Sequence, residues 1–79
     1  MDIVNKVRNY LLEEEFSVNV YKNKVHVINY SSIGIFNSKN VTINYDGGTL
    51  NISGENLIVK RLLDEEVLIL GKIRNVELK

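Results

Sequence analysis

Apolar and polar residues alternate through Val41-Thr42-Ile43-Asn44-Tyr45, stop at Asp46-Gly47-Gly48, and resume through Thr49-Leu50-Asn51-Ile52-Ser53. A period of two sends successive side chains to opposite faces of a strand, and Asp-Gly suits a tight hairpin turn. The pattern predicts two half-buried antiparallel strands. Upstream, Phe16, Val18 and Val20 alternate with Ser17, Asn19 and Tyr21. Lys22-Asn23-Lys24 reads as a polar turn, and Val25-His26-Val27-Ile28-Asn29-Tyr30 as the return strand. Ser31-Ser32 and Gly34 interrupt a further apolar group of Ile33, Ile35 and Phe36, and Asn37-Ser38-Lys39-Asn40 is another turn. Downstream, Gly54-Glu55-Asn56 and Gly71-Lys72 punctuate the chain. Leu57-Ile58-Val59 and Val67-Leu68-Ile69-Leu70 are apolar on both faces, which suits central or doubly covered strands. Lys60 to Glu66 reads as their connection. Ile73 is out of phase with Val76 and Leu78, which predicts a bulge or bend near Asn75.

The first fifteen residues follow a different period. Ile3, Val4, Val7, Tyr10 and Leu11 recur at helical spacing, with Asp2 placed as the N-cap and Lys6, Arg8 and Asn9 on the other side. A helix of this length is marginal alone and needs a surface for its apolar stripe, either this domain's sheet or a partner. Ile3, Val7, Tyr10 and Leu11 are therefore the candidate partner-binding residues. Glu13-Glu14-Glu15 opposes the helix dipole, so the helix is expected to fray there. The fold expected is mainly β, with one N-terminal amphipathic helix over 1–15 and a β-sheet region over 16–79. Six or seven short strands would form a twisted antiparallel sheet or small sandwich, with a rolled or solenoid-like stack as the alternative.

Size sharpens this picture. With 79 residues the chain reads as a single domain, 1–79. A chain this short buries only roughly 60% of its unfolded surface. It has no cysteine, so neither a disulfide nor a thiolate metal site can staple it. Self-association or a protein partner is the remaining route to stability, and a homo-oligomer is expected. Ten Lys and Arg balance ten Asp and Glu. That balance lacks the basic excess by which nucleic-acid binders neutralise phosphate. No apolar run is long enough to span a bilayer, and Met1-Asp2-Ile3-Val4 does not open like a signal peptide. A cytoplasmic location is expected.

Reactive groups are sparse. His26 is the one histidine, and it lies in a strand. Glu13-Glu14-Glu15 and Asp64-Glu65-Glu66 lack the spacing of a calcium loop, because consecutive side chains diverge. Asp46-Gly47-Gly48 lacks the helix and the Lys-Ser/Thr of a phosphate loop. These patterns predict no catalytic residue, no cofactor and no metal site, and hence no enzyme. Tyr21, Tyr30, Phe36 and Tyr45 are read as packing residues; a base-stacking face would need more basic interleaving than Lys22, Lys24 and Lys39 provide. A small β-sheet module recognising RNA or another protein is the alternative reading.

One resemblance extends this reading. The succession Asn29-Tyr30-Ser31-Ser32-Ile33, Phe36-Asn37-Ser38, Val41-Thr42-Ile43-Asn44 and Gly48-Thr49-Leu50-Asn51-Ile52 resembles the YabP/YqfC family of sporulation proteins. So do Gly54-Glu55-Asn56-Leu57-Ile58-Val59-Lys60, Glu65-Glu66-Val67-Leu68-Ile69 and Gly71-Lys72-Ile73-Arg74-Asn75-Val76-Glu77-Leu78. The chain departs from the family pattern at Tyr30-Ser31-Ser32, where members often carry His-Lys-Gly. The resemblance implies a non-enzymatic assembly or scaffolding factor in endospore envelope development. It also implies a mother-cell location, with membrane or forespore association through a protein partner. That partner is expected to be a membrane protein encoded nearby.

Overall fold

The computed structural model describes residues 16–79, so the helix expected over 1–15 lies outside the described residues. Six strands follow in chain order: β1 (Ser17–Val20), β2 (Lys24–Ile28), β3 (Ser32–Phe36), β4 (Asn40–Tyr45), β5 (Gly48–Leu63) and β6 (Glu66–Leu78). They form one antiparallel sheet in the order β1-β2-β6-β5-β4-β3. The alternation at the β4–β5 hairpin translates directly into register. Val41 opposes Ile52, Ile43 opposes Leu50, and Tyr45 opposes Gly48 across a two-residue Asp46-Gly47 turn.

The expectation of six or seven short strands is corrected by β5 and β6, which run for 16 and 13 residues. Gly54-Glu55-Asn56 and Gly71-Lys72 do not end strands. They bend them, because three register shifts between β5 and β6 absorb extra residues while pairing continues. Ser53 opposes Asn75 and Gly54 opposes Ile73, leaving Arg74 as the extra residue, one position from the bulge expected near Asn75. Glu55 opposes Lys72 and Ile58 opposes Leu70, so Asn56 and Leu57 bulge opposite Gly71. The connection expected from Lys60 to Glu66 shrinks to Asp64-Glu65, since β5 continues to Leu63.

These bends let one sheet cover itself. β2 pairs with the near half of β6 (Glu66–Leu70), which pairs with Ile58–Leu63 of β5. β4 pairs with the other half of β5, Gly48–Ser53. The Phe16 and Tyr45 rings stack with centroids 4.0 Å apart and planes within 9°. Across a flat sheet in this order, β1 and β4 would stand four strand spacings apart, about 19 Å. Only a sheet doubled over brings them together. The result is a small sandwich: β1, β2 and the hairpin halves of β5 and β6 face β3, β4 and the opposite halves.

The core confirms the closure. Val25, Val27, Val67 and Ile69 from one layer and Val41, Ile43, Leu50 and Ile52 from the other are all at most 1% exposed. They form four cross-strand pairs: Val25 with Ile69, Val27 with Val67, Val41 with Ile52, and Ile43 with Leu50. β-branched residues dominate because they suit a pleated surface and lose little rotamer freedom there. Phe16, Val18, Ile33, Val59, Ile73 and Val76 pack around this centre. Val20, in phase with Phe16 and Val18, is exposed at the sheet edge instead.

At the bend the backbone is crowded. Gly71 has φ 133°, and a Cβ there would lie 2.6 Å from the Asn56 carbonyl oxygen. A Cβ on Gly54 would overlap the Lys72 carbonyl oxygen. Gly54→Ala and Gly71→Ala are each expected to cost roughly 1–3 kcal/mol in urea unfolding. Gly34→Ala, whose Cβ would meet Thr42 at an ordinary 3.5 Å, should cost less than about 1 kcal/mol.

Candidate interaction surfaces

The two outer faces of the sandwich differ in character. On the β3–β4 layer the outward positions are Ser32, Thr42, Asn44, Thr49, Asn51, Ser53 and Asn75, set by the same register that buries their neighbours. Their side chains bridge strands: Asn44 Nδ2 donates to Ser32 Oγ at 3.0 Å, and Thr49 Oγ1 to Asn44 Oδ1 at 3.4 Å. This face is polar and internally hydrogen-bonded.

The β2–β6 layer presents Lys24, His26 and Ile28, then Glu66, Leu68 and Leu70, then Ile58 and Lys60. Ile58 is 61% exposed. The runs expected to be central or doubly covered are central in the sheet and open outward at Ile58. His26 Nε2 and Glu66 Oε1 meet at 3.2 Å, both side chains part-buried. Within the Asp64-Glu65-Glu66 run only Glu66 reaches His26, while Asp64 and Glu65 form the neighbouring turn. Among the described residues, no three metal-ligating side chains converge.

The four aromatics do not share a face. Tyr21 is exposed, with Lys24 Nζ 4.9 Å from its ring centroid. Tyr30 is in the core, Phe36 is 62% exposed on β3, and Tyr45 stacks on Phe16. The sheet ends in β1 on one side and β3 on the other. β3 carries a bulge between Ile33 and Phe36, which disrupts its ladder and exposes Ile35 and Phe36. β1 pairs without a register shift and is only four residues long. Ile3, Val7, Tyr10 and Leu11 lie outside the described residues.

A concave surface occupies the end of the sandwich at the β5–β6 turn. One hollow of about 730 Å³ is lined by Ile28, Asn29 and residues 61–66. A second of about 580 Å³ is lined by Tyr30, Ile33, Phe36 and Val59 among others. Arg61 and Asp64 line both, so the two hollows adjoin along one grooved end. Leu62 and Leu63 are exposed beside it. Sequence reasoning missed this groove, because it read Leu62-Leu63 as part of a loop. The signal available was an apolar pair directly before an acidic turn.

At the bend, Arg74 Nε and Nη2 donate to Glu55 Oε2 at 3.2 and 2.7 Å. This hydrogen bonding, and then the guanidinium charge, hold the Glu55 carboxyl below the usual carboxylate range. The pair joins residues 19 apart, with no local sequence signal. A depressed folded-state pKa stabilises the fold above the ordinary carboxylate range, and that contribution is lost as pH falls through the folded value. The Glu55 side-chain NMR signal should therefore titrate below an ordinary glutamate. Arg74→Gln should move that midpoint upward, with little change in stability at neutral pH because the pair is solvent-exposed.

The sequence profile of the YabP family matches residues 12–79, which includes all six strands and the end groove. No curated protein and no solved structure gives a match. The match spans most of the 79 residues, and the chain belongs to the YabP family, a sporulation-associated family.

Proposed function

We propose that this protein is a non-enzymatic assembly factor of endospore formation, working in the mother cell during development of the spore envelope. Membership of the YabP family over residues 12–79 is the observation that carries the sporulation part. The assembly part is supported by the surface. Ile58, Leu62 and Leu63 are exposed on β5 and Ile35 and Phe36 on β3, while the outward positions of β4 and the first half of β5 are polar. Clustered exposed apolar positions are a common feature of binding surfaces. Self-association and docking to a membrane protein are the partners this reading favours. The β2–β6 face is the surface assigned to that contact.

Deleting the gene is expected to lower the yield of heat-resistant spores strongly, and the wild-type gene should restore it. Ile58→Lys should fail to restore it while the purified variant keeps its unfolding free energy in urea within about 0.5 kcal/mol, because the side chain is mostly exposed. A normal spore yield after deletion would reject the sporulation role. Full rescue by Ile58→Lys would reject the β2–β6 face as the contact surface.

A further inference from the structure

The bend that doubles the sheet opens a strand edge within it. β4 pairs with residues 48–53 of β5 and no further, while β6 stays paired to β5 as far as Leu63. Residues 58–63 therefore have β6 on one side and, among the described residues, no strand on the other. In an antiparallel ladder alternate residues turn their N–H and C=O groups away from a given neighbour. This stretch thus presents a row of unpaired backbone donors and acceptors. The half of β6 freed in the same way, residues 72–78, borders neither hollow.

Along the β5 edge the surroundings are apolar and the charge has one sign. Val59 and Arg61 oppose Ile69 and Val67, both fully buried, so they share the inner face and Lys60 takes the outer one. Val59 and Arg61 line the second hollow together with Ile33 and Phe36 of β3. β3 pairs only with β4 and is itself an edge. The hollow of about 580 Å³ thus lies between two strand edges, with Leu62 and Leu63 exposed nearby. Neither Lys60 nor Arg61 makes an ion pair among the described residues. Asp64, the carboxylate that also lines the hollow, sits beyond Leu63 in the turn.

We propose that residues 58–63 accept an extended segment of a partner protein as an added strand, one that alternates apolar with acidic residues. Its backbone pairs with the free edge, its apolar side chains enter the hollow against Ile33, Phe36 and Val59, and its carboxylates lie beside Lys60 and Arg61. An extended segment fits because a helix satisfies its own backbone and would leave the edge unpaired. A second copy does not match: two-fold pairing centred on this stretch sets each Lys60 opposite the second copy's Arg61, and like charges directly opposite destabilise a sheet. The edge is separate from the β2–β6 outer face assigned above, so either surface can fail alone.

The test uses the full chain and two synthetic ten-residue peptides, one alternating Val with Glu and one alternating Val with Lys, followed by amide NMR and hydrogen exchange. The Val-Glu peptide should shift the amides of residues 58–63 and of Ile33 and Phe36. In excess it should slow exchange of the outward amides of 58–63 by roughly tenfold. The Val-Lys peptide should bind at least about fivefold more weakly. Lys60→Glu with Arg61→Glu should reverse that preference, and Lys60→Gln with Arg61→Gln should abolish it with the charge repulsion of the first variant removed. No binding by either peptide, or a preference indifferent to both variants, would overturn the proposal. Shifts confined to His26, Leu68 and Leu70, with exchange at 58–63 unchanged, would overturn it in favour of docking on the outer face. Protection of 58–63 that grows with protein concentration alone would overturn it in favour of a second copy.

Discussion

Everything in this molecule depends on bending two paired strands without unpairing them. A six-stranded antiparallel sheet with no covering layer would leave half its apolar side chains in water. β5 and β6 solve this by staying hydrogen-bonded through their bulges and turning the sheet back on itself at Gly54, Asn56 and Gly71. The left-handed backbone at Asn56 and the positive φ of Gly71 sit opposite each other, where the extra residues of β5 accumulate. Neighbouring segments lock the bend: the Leu57 and Gly54 amides donate to the Ser38 and Lys39 carbonyls, and the Gly71 amide donates to Asn23. The turns before β4 and before β2 are thereby tied to the same corner.

The sheet closure converts a one-dimensional alternation into two different surfaces. Each strand buries one parity of its residues, so the opposite parity decides what the outside looks like. In β4 and the first half of β5 that parity is Thr, Asn and Ser, giving a polar face with its own cross-strand hydrogen bonds. In β6 and the second half of β5 it includes Leu68, Leu70 and Ile58 beside Glu66 and Lys60. Outward apolar positions of that kind suit a contact. Membership of a sporulation-associated family supports the sporulation part of the proposal, and the outward apolar residues support its assembly part.

Much of the fold was legible in the chain, and the reason is periodicity. The Asp46-Gly47 hairpin, the strand phases of β2, β4 and β5, and the irregularity near Asn75 all follow from which residues are apolar and where glycine falls. What was misread lies at Gly54-Glu55-Asn56 and Gly71-Lys72. Glycine and a polar residue signal a turn locally, yet here each bend is held by a partner strand 15 to 20 residues away, which no local window contains. Leu62-Leu63 was misread for the same reason, since pairing with Glu66 and Val67 keeps Arg61 and Leu63 in the sheet. The groove and the Glu55–Arg74 pair depend on that bend and were therefore invisible before it.

The central claim, that one sheet folds over to make its own core, is tested most directly by methyl NOEs in the full-length protein. Cross-peaks should join Val25, Val27, Val67 and Ile69 methyls to those of Val41, Ile43, Leu50 and Ile52, with ring contacts between Phe16 and Tyr45. If the methyl contacts are confined to hydrogen-bonded neighbours within each group of four, the sheet is open and the account is wrong.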